Sequence, residues 1–142
     1  MKILSYDPNS QSLSGIGILS DLSDQELALT EQQCEWSLYE VGEVILAASE
    51  PDSEFSSHDV YFLTNGSVSI VTNNEDGSEL TLAQLNSGSQ FGELSALDQR
   101  GRSANVLALT GCTVARLNRD NFIKLLIANS QICMNLLLAF SS

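Results

Sequence analysis

The chain has 142 residues, and 43% of them are hydrophobic, which suits a single domain that buries a core. Its 18 acidic and six basic side chains give a formal net charge of −12 at pH 7. Because an acidic chain repels polyanions, we expect no direct binding to nucleic acid or to anionic lipid. One histidine is too few for a metal centre built from several histidine ligands.

Neither a leader peptide nor a membrane span is predicted. Residues 1–20 lack a basic start followed by a long apolar run, and no stretch is apolar enough to cross a bilayer. The cysteines Cys34, Cys112 and Cys133 have no paired spacing and are predicted to be reduced, buried thiols. We therefore expect a cytoplasmic protein that does not contact a membrane.

The N-terminal part predicts an extension followed by a helix. Residues 1–20 form the extension, and residues 21–34 contain the leading helix. Ser23 is followed three residues later by Glu26, a capping-box pattern that predicts where this helix begins.

Residues 35–117 predict β-structure. Short runs of Val, Ile, Leu and Thr alternate with glycine turns, a pattern typical of a sandwich or barrel of about eight strands. The segment from Asn74 to Gly77 has the composition of a hairpin turn, and residues 81–85 are predicted to pair back across it.

Residues 118–142 predict C-terminal helices, the first capped by Asn118 or Asp120. Apolar side chains recur at helical spacing in the final segment, and such a stripe must pack on the domain, on another subunit, or on both. The stripe consists of Ile132, Cys133, Leu136, Leu137 and Phe140. The whole chain, residues 1–142, is thus predicted to be one mainly β domain with flanking helices.

One segment coincides with a change in charge along the chain. Residues 1–99 carry one basic and 17 acidic side chains, whereas residues 100–142 carry five basic side chains and one acidic. Gly92 and Glu93 open a short apolar stretch just before this boundary, and Arg102 follows it.

This arrangement suits a small anion that also carries hydroxyl groups. The free N–H groups at the start of a helical turn favour an anion, and Gly92 allows close approach of the backbone. Arg102 can hold phosphate oxygens with its planar donor fork. Glu93 would repel a phosphate, so it makes sense as an acceptor for a hydroxyl such as a ribose 2′-OH. Phosphate and sugar recognised together imply a nucleotide.

The segment Phe91-Gly92-Glu93-Leu94-Ser95-Ala96, with Arg102-Ser103-Ala104 behind it, resembles the phosphate-binding cassette of the cyclic nucleotide-binding domains. This family includes the catabolite activator protein, the regulatory subunits of cyclic-AMP-dependent protein kinase and cyclic-nucleotide-gated channels. The resemblance extends over about residues 19–130 through weaker matches. These matches are the leading helix (22–27), an early glycine turn (39–45) and paired central strands (61–70).

The resemblance implies a fold, a ligand and a mode of action. The fold is a double-stranded β-helix, or jelly-roll, barrel with a short helix in the cassette (residues 91–104). The ligand is cAMP or cGMP, with no metal or further cofactor and no catalysis. The C-terminal helices would move to control a protein partner or output domain, and could pair two copies of the chain. The ligand-binding residues implied are Gly92, Glu93, Leu94, Ser95, Arg102 and Ser103.

Alternatives remain open at the level of the sequence. Ser103 does not decide between cAMP and cGMP. A degenerate barrel that serves only as an interaction or dimerisation module is the second functional hypothesis. Enzyme functions are disfavoured, because a Ser–His–Asp triad would have to use His58 and neither a Gly-x-Ser-x-Gly elbow nor a P-loop occurs. The DNA-reading helix-turn-helix that follows this domain in transcriptional activators does not occur in residues 1–142, which adds to the expectation of no direct DNA contact.

Overall fold

The computed structural model describes residues 1–48, 58–93, 96 and 104–141. Within these ranges the chain is mainly β, with two antiparallel sheets, three α-helices and one short 3-10 helix. The predicted mainly β, jelly-roll-like architecture with flanking helices is confirmed. The two sheets stay separate in the described part of the chain and do not close into one barrel.

The strands are β1 (Lys2–Leu4), β2 (Glu35–Tyr39), β3 (Val44–Leu46), β4 (Val60–Asn65), β5 (Ser67–Asn73), β6 (Glu79–Asn86), β7 (Gln90–Phe91), β8 (Asn105–Ala108) and β9 (Cys112–Leu117). The helices are α1 (Asp24–Gln33), α2 (Arg119–Ala128) and α3 (Ser130–Ser141), with the 3-10 helix at Gly17–Leu19. One sheet has the order β1-β2-β9-β4-β7 and the other β3-β8-β5-β6.

The five-stranded sheet is the middle layer of the domain, because β4 is buried on both faces. Tyr61 and Leu63 belong to the inter-sheet cluster, whereas Val60 and Phe62 belong to the helix-side cluster. Successive side chains of a strand point to opposite faces, so β4 supplies both cores at once. A strand that is buried on both faces has a nearly continuous run of apolar residues in its sequence.

Two groups of buried side chains define these cores. The inter-sheet cluster is Ile45, Tyr61, Leu63, Val68, Phe91, Val106, Ala108, Cys112 and Val114. The helix-side cluster is Leu13, Ile16, Ile18, Leu19, Trp36, Val60, Phe62, Ala96, Ala115, Leu117, Phe122, Leu126, Ile132 and Leu136.

The N-terminal extension is part of the helix-side core. Four of its apolar side chains are buried there, and β1 adds a strand to the five-stranded sheet by pairing with β2. The buried carboxylate of Glu31 on α1 holds the extension in place. It accepts hydrogen bonds from the Tyr6 hydroxyl at 2.6 Å and from the Leu13 amide at 2.8 Å. The Tyr6 ring also stacks on Trp36, with ring centroids 5.8 Å apart.

Short sequence motifs correctly predicted where several helices and strands begin or end. The Ser23–Glu26 capping box is present at the start of α1. Asn118 caps α2, and its side chain accepts the Asn121 amide at 2.8 Å. The hairpin between β5 and β6 turns through residues 74–78, with Gly77 at φ 86°.

Gly66 connects β4 to β5 at a position that requires glycine. Its φ is 93°, a left-handed conformation that other residues rarely adopt. A Cβ placed there would clash with the Gly111 carbonyl oxygen. The turn between β4 and β5 therefore packs directly against the turn between β8 and β9.

The predicted apolar stripe of the last helix is only partly correct. Ile132 and Leu136 are buried in the helix-side cluster, but Cys133 and Leu137 are exposed. The side chain of Phe140 lies outside the described residues. α3 is apolar around much of its circumference, so spacing alone could not show which side faces the core.

Among the described residues, no single helix is both long enough and hydrophobic enough to cross a bilayer. Only α2 together with the first ten residues of α3 meets both criteria, and these two helices meet at a bend of 107°.

The three cysteines are free thiols in different surroundings. Cys112 is buried, Cys34 is half-buried and Cys133 is exposed. The prediction that all three are buried was therefore wrong for Cys133, because it projects from the outer side of α3.

Candidate functional site

The candidate cassette begins at the end of β7, on the edge of the five-stranded sheet. β7 pairs with β4, and Phe91 stacks on Tyr61 with centroids 5.2 Å apart and ring planes 4° from parallel. Gly92 then takes a φ of 85° and turns the chain out of the strand. A residue with a Cβ would be strained in this conformation, which explains glycine between the strand and the helical turn.

A helical turn follows directly. Glu93 and Ala96 have helical conformation, and the Ala96 amide donates to the Gly92 carbonyl at 3.2 Å. Glu93 is 9% exposed, so its carboxylate is withdrawn from bulk water. Burial of a charge is costly, and a carboxylate in such a position is more often functional or firmly hydrogen-bonded than incidental.

The turn passes from one core to the other. Phe91 belongs to the inter-sheet cluster, and Ala96, which is 0% exposed, belongs to the helix-side cluster. A ligand bound at Gly92 and Glu93 would therefore contact a segment whose far end, Ala96, lies in the same cluster as buried residues of α2 and α3.

Of the six candidate ligand-binding residues, the structure places Gly92 and Glu93 side by side at this turn. The other four lie outside the described residues. They are Leu94, Ser95, Arg102 and Ser103.

The two arginines among the described residues, Arg116 and Arg119, both have partners within the protein. Arg116 on β9 forms ion pairs with Glu35 at 3.2 Å and with Asp59 at 3.6 Å. Arg119, the first residue of α2, donates its Nε–H to the Ala96 carbonyl at 2.7 Å. Sequence reasoning missed this contact, because nothing in the local sequence indicates that a helix-starting arginine reaches back over 23 residues.

Two clefts lined by described residues do not include Gly92 or Glu93 in their lining. One, of about 280 Å³, separates α1 from α2 and is lined by residues such as Leu29 and Leu125. The other, of about 640 Å³, lies between the 3-10 helix, residues 85–90 and α3. Among the described residues, no three His, Cys, Asp or Glu side chains form a group that could hold a metal ion.

A family model described as "Cyclic nucleotide-binding domain" matches residues 38–129, more than half of the chain. The chain belongs to this family. The family resemblance inferred from the cassette is therefore confirmed, and the family is a regulatory, generally non-catalytic one.

Two curated relatives show where the domain is used. The cAMP-dependent protein kinase regulatory subunit of Aspergillus niger is 32% identical over 114 residues, which are 80% of this chain and 26% of the relative. The cAMP-activated global transcriptional regulator CRP of Salmonella typhimurium is 37% identical over 78 residues, 54% of this chain and 37% of the relative. The chain thus spans well under half of the length of these relatives.

A solved structure supports the fold. The regulatory subunit of a cAMP-independent protein kinase A from Trypanosoma brucei superposes with a TM-score of 0.78 at 26% identity. The match covers 95% of this chain and 47% of that one. A triple mutant of the same protein, bound to cAMP in its A site, matches with a TM-score of 0.68 at 28% identity, over 79% of this chain and 39% of that one.

Proposed function

We propose that the chain binds a 3′,5′-cyclic nucleotide, cAMP or cGMP, at the cassette and has no catalytic activity of its own. The observation that carries this proposal is the buried Glu93 carboxylate beside the left-handed Gly92, at the start of a helical turn. Family membership supports it, because this turn falls inside the matched residues.

Each of the six candidate ligand-binding residues has a proposed role. Glu93 accepts the ribose 2′-OH, and Arg102 pairs with the phosphate through its planar fork. The backbone around Gly92, Leu94 and Ser95 supplies N–H groups to the phosphate oxygens. Ser103 lies next to Arg102 and reads either phosphate or base. The engagement of Arg116 and Arg119 by other groups leaves Arg102 as the stronger candidate for the anion.

The bound nucleotide acts by population shift: it favours one arrangement of α2 and α3 over another. The helical turn of the cassette ends in the helix-side cluster, where both helices are packed. A protein partner, or an output domain in a longer chain, would respond to this arrangement. The two curated relatives named for cAMP make cAMP the first ligand to test.

A specific observation favours a second candidate, an interaction module. Met134, Leu137 and Leu138 on α3 are 50%, 62% and 59% exposed and lie at i, i+3 and i+4 spacing, on one side of the helix. A second copy of the chain would cover this side in a homodimer. The two candidates are compatible if the dimer responds to the nucleotide, but the module alone requires no ligand.

The test is isothermal titration of the chain with cAMP, cGMP and a cyclic dinucleotide, with 5′-AMP as the non-cyclic control. We expect saturable binding of cAMP or cGMP at a stoichiometry of one site per chain. 5′-AMP carries one more negative charge than cAMP and lacks the 3′,5′-cyclic phosphodiester, so it should bind far more weakly. Absence of heat with all cyclic nucleotides, confirmed by unchanged thermal stability, would leave the interaction module as the function.

A further inference from the structure

The requirements of helix α2 do not explain why its first residue, Arg119, is an arginine. It is the first residue of α2, where the helix dipole disfavours a cation. Capping of α2 does not require it either, because Asn118 already accepts the Asn121 amide. The side chain instead reaches out of its own helix to the cassette.

The contact made by Arg119 is short and partly buried. Its Nε–H donates to the Ala96 carbonyl at 2.7 Å, within the range of charge-assisted hydrogen bonds, which are stronger than neutral ones. Ala96 is fully buried, and its own amide donates to the Gly92 carbonyl. Ala96 is therefore fixed on both sides, to Gly92 through its N–H and to α2 through its C=O.

The connection continues into the C-terminal helices. Phe122, one turn after Arg119, is fully buried in the cluster that also holds Ile132 and Leu136 of α3. Asn129 alone separates α2 from α3. A displacement of the cassette turn would thus pull the start of α2 through a hydrogen bond and shift α3 through packing.

We propose that Arg119 is a positioning residue that couples nucleotide occupancy at Gly92 and Glu93 to the arrangement of α2 and α3. The inference rests on the proposed nucleotide site. Thermodynamic linkage makes this coupling reciprocal: if the nucleotide shifts the helices, the arrangement of the helices changes the affinity for the nucleotide. Arg119 requires no contact with the nucleotide for this role.

The test compares three variants by residue-resolved amide hydrogen exchange, with and without saturating cAMP or cGMP. Arg119→Met removes the donor and keeps most of the stem. Arg119→Lys keeps a charge and a donor. Lys124→Met is the matched control, because it removes an equal charge from the exposed side of α2.

Without ligand, Arg119→Met should speed exchange of the Ala96 amide, whereas Lys124→Met should leave it unchanged. With ligand, the change in exchange along α3 should fall to less than about half of the parent's in Arg119→Met. Arg119→Lys should restore part of it. Titrations of each variant establish that saturation is reached.

Two results would overturn the proposal. One is a parent-like α3 response in saturated Arg119→Met, which would leave the nucleotide site standing and remove the coupling. The other is unchanged Ala96 exchange in Arg119→Met without ligand, which would show that the contact does not hold the turn. If the parent itself binds no cyclic nucleotide, the proposed function fails and the coupling fails with it.

Discussion

Arg102 and Arg100 stand two residues apart in the same cationic stretch, and they offer a matched pair for testing the phosphate contact. Arg102→Ala should weaken cyclic nucleotide binding by about 2–5 kcal/mol, because it leaves a partly desolvated phosphate without its charge-assisted partner. Arg102→Lys should lose much of the same energy, since an ammonium group cannot reproduce the planar fork. Arg100→Ala carries the same change in net charge and should bind nearly as the parent does. Titration calorimetry measures all three, and parent-like affinity of Arg102→Ala would refute the assignment of the cassette.

The buried carboxylate of Glu93 can be tested through the hydroxyl that it is proposed to recognise. Glu93→Gln should lower affinity for a ligand with a free 2′-OH by about 1.5–3 kcal/mol, the range for hydrogen bonds to charged groups. It should cost much less with the 2′-deoxy analogue, which lacks the group. Glu79→Gln, on the exposed strand β6, is the control. Equal losses for the two ligands would mean that Glu93 does not contact the ribose.

Titration of two side chains should make the protein sensitive to alkali. Burial, with a smaller contribution from the negative charge of Glu31, raises the pKa of Cys34 from 9.0 to about 12. The hydrogen bond to Glu31 raises the pKa of Tyr6 from 10.0 to about 12. Between the unfolded and folded values, the native state binds more protons than the unfolded state, so stability must fall as the pH rises.

The urea midpoint of unfolding should therefore decline from pH 9 towards pH 12, and the titration of Tyr6 and Cys34 should account for part of this decline. The Tyr6→Phe/Cys34→Ala double variant should show a shallower decline. Cys133→Ala removes a thiol from the exposed side of α3 and should follow the parent. Parallel declines in the double variant and the parent would show that other groups cause the loss.

At the scale of elements, α3 combines two opposite surfaces that substitutions can separate. Ile132→Ala should cost about 2–5 kcal/mol of stability, because it opens a cavity in the helix-side cluster. Met134→Lys/Leu137→Lys changes exposed positions and should alter stability by no more than about 0.5 kcal/mol. If α3 pairs two chains, this double variant should lower the mass in solution from dimer to monomer.

Val41→Lys makes the same kind of change at an exposed apolar residue outside α3 and serves as the control. Sedimentation equilibrium gives the mass, and urea unfolding gives the stability. A monomeric parent, or a dimer that survives the double substitution, would rule out α3 as the dimer contact.

The elements themselves show what local sequence determines. The capping box of α1 and the hairpin after β5 were predictable, because their hydrogen bonds join residues only a few positions apart. The buried side of α3 was not, because leucine and isoleucine occur around much of the helix and only tertiary packing selects Ile132 and Leu136. Gly92 and Glu93 could be chosen from their spacing to Arg102, a motif signal. Arg119 carried no such signal, because its partner Ala96 lies 23 residues earlier.

At the scale of the whole molecule, three layers enclose two hydrophobic clusters. The four-stranded sheet and the five-stranded sheet enclose the inter-sheet cluster, and the helices with the N-terminal extension enclose the other cluster. Sequence periodicity predicted sheets and helices but not that residues 1–20 would enter the core. That placement depends on Glu31 meeting the Leu13 amide and the Tyr6 hydroxyl, contacts between distant parts of the chain. Phe91 and Ala96 of the cassette, like the residues of β4, contribute to both clusters.

The only tryptophan of the chain, Trp36, lies on the helix side of the middle sheet, fully buried and stacked on Tyr6. Its emission is therefore a built-in optical reporter for one layer of the protein. A rearrangement of α2 or α3 would change the surroundings of the indole, whereas events confined to the four-stranded sheet would be nearly invisible to it. Stopped-flow fluorescence without any added dye could then time the helices separately from the arrival of a ligand.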